Sequence, residues 1–137
     1  MTRSEALERY KSEMIKFDTT RNLQWKVNIS YWSLLALGIK FFHDGTINLC
    51  NCQVWTLAIL FFGAHLLFTI LIQQSLAFSK SVWIHIGKMV NTDNADVRLD
   101  YKEVKRKAKL HGKDLLWIIF QMLGTIIMLL LFLFLYG

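Results

Sequence analysis

Polar side chains are rare inside apolar sequence, and each one found there is a candidate for chemistry. In this chain of 137 residues, His65 sits near the middle of one long apolar run and Gln121 lies in another. If the two runs form antiparallel helices, His65 and Gln121 lie at similar depth and can hydrogen-bond. Ser33, Thr69 and Thr125 can join them in one polar layer. Polar groups in hydrocarbon are costly unless paired, so such a layer faces other helices or a water-filled cavity. Two chemistries follow: interhelical hydrogen bonds that fix packing, or the lining of a pore or gate. A proton relay has little to work with, because the runs contain no acidic residue beyond Asp114 at the very edge of the third.

A second cluster is cationic. Lys102, Lys105, Arg106, Lys107, Lys109 and Lys113 form a candidate basic patch on a helical segment. Its ordinary role is a solvated stretch that touches anionic headgroups. Clustered Lys and Arg also attract phosphate. Only Tyr101 supplies aromatic interleaving, so nucleic acid is not an expected partner. Arg106 and His111 stand at an Arg-x4-His spacing that resembles the catalytic motif of HEPN ribonucleases. In a basic helix beside the membrane that match implies no ribonuclease activity.

The remaining reactive residues make no site. Cys50 and Cys52 flank Asn51 and read as loop thiols. A bridge across one residue would be strained, and two thiols without further ligands do not hold zinc. No Gly-rich phosphate loop, Ser/His/Asp set or carboxylate pair can be placed in a common pocket. No catalytic residue, metal or cofactor is expected, and the chain does not read as an enzyme.

The elements that must position these residues are long helices. More than half of the chain is apolar, proline is absent and glycine numbers seven. This composition opposes both disorder and a turn-rich β fold. Three apolar runs, 27–42, 54–74 and 114–136, are read as transmembrane helices. About 20 residues at 1.5 Å each cross a hydrocarbon core of about 30 Å. The first run is the shortest and carries Asn28, Ser30, Ser33 and Lys40. Trp25, Trp55 and Trp117 fall near run ends, as an aromatic belt requires. Gly63-Ala64 and Gly124-Thr125 offer small surfaces for close helix approach.

Orientation follows from charge. Of the sixteen Lys and Arg residues, all but Lys40 precede the first run or lie between the second and third. The positive-inside bias then puts the amino terminus in the cytoplasm and the carboxyl terminus outside, in a multi-pass protein expected in a bacterial inner membrane. A cleaved leader is not expected behind a segment containing Glu5, Glu8, Glu13 and Asp18.

The polar segments read as helical too. Thr2 and Glu5 have capping-box spacing, and Leu7, Tyr10, Met14 and Phe17 form a stripe within an amphipathic helix over 4–26. Residues 43–53 form an outer loop. A cytoplasmic helical hairpin spans 75–113, with Val82, Trp83, Ile86, Met89 and Val90 on one stripe. Its turn is expected at 91–94, and Val97, Tyr101, Val104 and Ala108 lead into the third run. The expected fold class is therefore all-α, with three long transmembrane helices extending into a cytoplasmic bundle.

The primary functional expectation is a homo-oligomeric pore or channel in the lipid bilayer, with cytoplasmic gating or sensing helices. Its plan is similar to small bacterial membrane effectors that permeabilise the inner membrane in antiviral defence. The alternative is a membrane-anchored adaptor whose basic bundle docks a soluble cytoplasmic protein or an anionic ligand.

Overall fold

The computed structural model describes residues 2–91 and 100–136. Among them the chain is helical without strands: α1 is Arg3–His43, α2 Asn51–Val90, α3 Tyr101–Lys107 and α4 Gly112–Tyr136. The first two helices contain 41 and 40 residues, each about 60 Å long at 1.5 Å per residue. The expected turn at 92–94 and Val97 lie outside the described residues.

Each helix end has a local cause. Thr2 Oγ1 accepts from the Glu5 N–H at 3.3 Å, while Glu5 Oε2 accepts from the Thr2 N–H at 2.8 Å, a complete capping box. At the other end of α1, the Thr46 N–H reaches the Phe41 carbonyl and the Gly45 N–H the Phe42 carbonyl. That pairing is a Schellman motif, and Gly45 accordingly adopts φ +68°. Gln53 Oε1 accepts from the Cys50 N–H and so caps α2. Asp100 caps α3 through the N–H groups of Lys102 and Glu103.

The expectation of three uninterrupted helices is corrected in its third member. Ala108 to His111 break the helix between α3 and α4. Gly112 opens α4, and Asp114 Oδ2 accepts from the His111 N–H at 2.9 Å, a cap that starts a new helix rather than continuing the old one.

The chain divides into two compact units. One comprises Met1–Leu23 with Leu71–Asp114, the other Gln24–Ile70 with Leu115–Gly137. The first has a small apolar core of Ala6, Val82, Ile86 and Val104, with Tyr10 and Phe78 packed against it. The stripe on α1 is rotated from the expected one. Ala6 is fully buried, whereas Leu7 and Met14 remain exposed. The buried edge runs through Ala6, Tyr10 and Glu13, so a polar residue occupies a position that apolar periodicity alone would not select.

In the second unit the pairs Trp25–Trp117, Asn28–Gln121 and Trp32–Thr125 keep a nearly constant offset, so α1 and α4 run parallel. His65 meets Thr125 while Thr69 meets Met122, so α2 runs antiparallel to both. Helices α2 and α4 are long and apolar enough to cross a membrane. Their exposed residues include Leu60, Leu67, Leu116, Phe120, Leu130 and Phe134, a surface far more apolar than water tolerates in one patch. These two helices suggest a membrane protein. Helix α1 does not meet the same criterion, because Lys26 and Lys40 accompany the polar residues of its first run.

The Thr2 N–H and the Thr2 hydroxyl hold the Glu5 carboxyl below the ordinary glutamate range. A lowered folded pKa stabilises the first turn fully above about pH 4.3, and the contribution disappears as pH falls through the folded value. The protection factors of the Thr2 and Glu5 amides, observed exchange relative to intrinsic exchange, should therefore be constant above about pH 5 and fall in more acidic solution. Glu5→Gln should remove that dependence; a wild-type profile in the variant would contradict the assignment.

Candidate functional site: a buried polar layer

The polar groups of the second unit converge inside it. Asn28, His65, Thr69, Gln121 and Thr125 are all at most 1 % exposed. In a helix the backbone N–H groups are already used, so these side chains find their partners chiefly in one another or in a carbonyl's second lone pair.

The layer has a direction that can be derived atom by atom. The Trp32 indole N–H donates to Thr125 Oγ1 at 3.1 Å. Thr125 Oγ1 lies 2.7 Å from His65 Nδ1, and His65 Nε2 lies 2.8 Å from Asn28 Oδ1. Asn28 Nδ2 donates to Gln121 Oε1 at 2.8 Å. An amide oxygen only accepts, so His65 Nε2 carries the proton on that side. The neutral ring then accepts at Nδ1 from the Thr125 hydroxyl, which in turn accepts from Trp32. Donation runs one way, from Trp32 through Thr125, His65 and Asn28 to Gln121. Such chains polarise each successive bond in a low-dielectric interior. All three helices are tied by it. The far end is open: Gln121 Nε2 is buried without a partner.

Packing holds the layer in register. Tyr31 stacks on the His65 ring at 4.4 Å with an interplanar angle of 11°. Thr69 Oγ1 donates to the His65 carbonyl, one turn back on α2. Gly124 makes room for Trp32: a Cβ there would lie 2.8 Å from two indole carbons. Real Cβ atoms do not approach that closely, so only glycine lets the indole lie against α4 and reach Thr125.

Of the five residues expected to share the layer, His65, Thr69, Gln121 and Thr125 come together and Ser33 does not. Ser33 is exposed on α1. The direct His65–Gln121 bond expected from matching depths is replaced by a bridge through Asn28. Sequence reasoning missed Asn28 and Trp32, because polar residues in the weakest run count against the span before they count as partners.

Ser33 belongs to a different feature. Lys26, Ser30, Ser33 and Lys40 are all exposed and recur at steps of three, four and seven residues on α1, which puts them on one face. Ser30 Oγ donates to the Lys26 carbonyl at 2.8 Å. Ser33 has no such bond among the described residues.

The basic patch does not form one surface. Lys102 and Arg106 border a concavity with Asp100 and Glu103, whereas Lys105 borders another with Gln74 and Phe78. Lys107 pairs with Glu103, which lowers the Glu103 carboxyl from its ordinary range. Lys113 is exposed at the start of α4. Cys50 and Cys52 are exposed free thiols, and the described residues contain no group of three metal-binding side chains. Comparison with protein families, curated proteins and solved structures finds no match to the chain.

Removing either Asn28 or His65 strands a buried partner, which costs about 1–3 kcal/mol. Asn28→Ala and His65→Ala should each lower stability in detergent micelles by that order. Their double-mutant cycle should give a coupling of about 0.5–2 kcal/mol. Gly124→Ala should destabilise by about 1–3 kcal/mol through the displaced indole. A coupling near zero would contradict the hydrogen-bonded layer.

Proposed function

We propose that the chain is a three-span membrane protein, amino terminus cytoplasmic and carboxyl terminus outside, that assembles with copies of itself around a polar path. The spans are 27–42, 54–74 and 114–136, and the remaining helices form a cytoplasmic bundle. The charge distribution supports the orientation. The parallel α1 and α4 with an antiparallel α2 support an odd number of crossings.

The observation that carries the pore reading is the α1 stripe. α2 and α4 expose mainly Leu, Ile and Phe in the second unit, whereas α1, which also exposes Ile29, Leu34 and Phe41, carries one face on which Lys26, Ser30, Ser33 and Lys40 surround Leu37. Hydrocarbon solvates such a face poorly, and a ring of subunits with α1 turned inward gives it water. The His65 layer then acts as the packing core of each subunit, and the stripe replaces it as the proposed lining. A membrane-permeabilising effector is one function this arrangement serves. The adaptor reading draws on a separate observation: Lys102, Lys105 and Arg106 are exposed on α3 and available to an acidic soluble partner.

The test uses Ser33→Cys in a chain whose Cys50 and Cys52 are changed to Ser. Purified protein should migrate as a defined oligomer and release dye from liposomes. A charged thiol reagent should modify the Ser33→Cys variant and cut the leak several-fold. Monomeric, leak-free protein would overturn the pore. A leak indifferent to the reagent would overturn the lining. If leakage is absent and Lys105→Glu/Arg106→Glu abolishes capture of a cytoplasmic partner, the adaptor reading stands instead.

A further inference from the structure

The first unit contains a cleft of about 280 Å³ whose walls are strongly cationic. One wall is a face of α2 bearing Lys80, Ser81, His85 and Lys88. The opposite wall is the end of α3 and the break before α4, bearing Lys107, Lys109 and His111. Four lysines and two histidines therefore face one another across a small volume. We propose that this cleft binds a phosphate group through Lys80, Lys88 and Lys109, with His85 and His111 as further donors.

The charge count favours an anion. Among the described lining residues Asp114 is the only carboxylate, and both its oxygens are engaged, Oδ1 by Gln73 Nε2 at 3.0 Å and Oδ2 by the His111 N–H. Lys107 is neutralised by Glu103. Lys80, Lys88 and Lys109 have no carboxylate partner among the described residues. Like charges confined together repel, and an anion between them removes that cost while gaining charge-assisted hydrogen bonds. His85 borders the cleft by its ring, although its Nε2 is buried away from that volume and unpartnered.

Size and chemistry narrow the ligand class. Among the described residues no aromatic other than the two histidines lines the cleft, and those two offer no broad platform on which a nucleobase stacks. Its volume lies at the small end of the ligand-pocket range. A bare phosphate or diphosphate group fits better than a whole nucleotide. Asp114, the last residue of this wall, directly precedes the apolar run that starts at Leu115. A lipid headgroup phosphate and a free diphosphate therefore share the required chemistry. The cleft stands on its own residues and does not depend on the pore reading.

The test follows the histidine side chains of the full-length protein by NMR in maltoside micelles, at constant pH. Inorganic pyrophosphate is titrated in one arm and phosphatidylglycerol in the other. His85 and His111 resonances should shift saturably in at least one arm while His43 stays fixed. A response confined to pyrophosphate identifies a soluble ligand, and one confined to phosphatidylglycerol a headgroup. Each of Lys80→Gln, Lys88→Gln and Lys109→Gln should weaken binding about tenfold, whereas Lys11→Gln/Lys16→Gln should leave it unchanged. Absence of saturable shifts in both arms would overturn the site. Equal weakening by the control pair would do so as well, since it would show diffuse charge attraction.

Discussion

Where no water can reach, donors must find acceptors within the protein, and five side chains of the second unit meet that demand together except at one end, Gln121 Nε2. Trp32, Thr125, His65, Asn28 and Gln121 form one directed chain of hydrogen bonds contributed by α1, α2 and α4. The chain fixes more than contact. Sliding α4 by one turn would put Leu129 or Gln121 where Thr125 now meets His65, leaving the imidazole nitrogen or the indole N–H without its partner. Apolar side chains discriminate weakly between such registers, because Leu and Phe meet Leu and Phe in each. The polar layer therefore selects the register, and Gly124 permits it by admitting the indole.

The two units differ in what they bury and what they expose. The first buries a handful of small apolar residues around Ala6, Val82, Ile86 and Val104 and leaves its lysines outside. The second buries asparagine, histidine, threonine and glutamine beside Val54, Ile118, Met122 and Leu129, and presents leucine and phenylalanine outward. That contrast in what the two units expose is what the proposed passage from water into lipid requires. It also gives weight to the exceptions. The exposed polar face of α1 is anomalous in a lipid-facing unit, and the lysine-lined cleft is anomalous for its uncompensated charge. Each proposal rests on one of these anomalies.

Much of this was legible in the residue order. His65, Thr69, Gln121 and Thr125 stand out because polar residues in apolar runs need partners, and Thr2 with Glu5 announces the start of α1. Asn28 was harder, since the same polarity that makes it a partner weakens the case for its run as a span. The rotation of α1 depended on tertiary packing that favours Ala6 over Leu7. The break before Gly112 had a local signal in the His111-to-Asp114 spacing, masked by the apolar stripe that seemed to pass through it. Lys80 and His85 join Lys109 and His111 only through the fold, and no spacing along the chain announces that meeting.

The orientation of the His65 ring tests this account most directly. Side-chain ¹⁵N spectra of the protein in lipid nanodiscs should show His65 as the neutral tautomer protonated at Nε2, with Nδ1 carrying the signature of a hydrogen-bond acceptor. Substitution of Asn28 by Ala should shift the Nε2 signal. A ring protonated at Nδ1 instead, or one averaging freely between tautomers and indifferent to Asn28, would contradict the directed layer and the helix register derived from it.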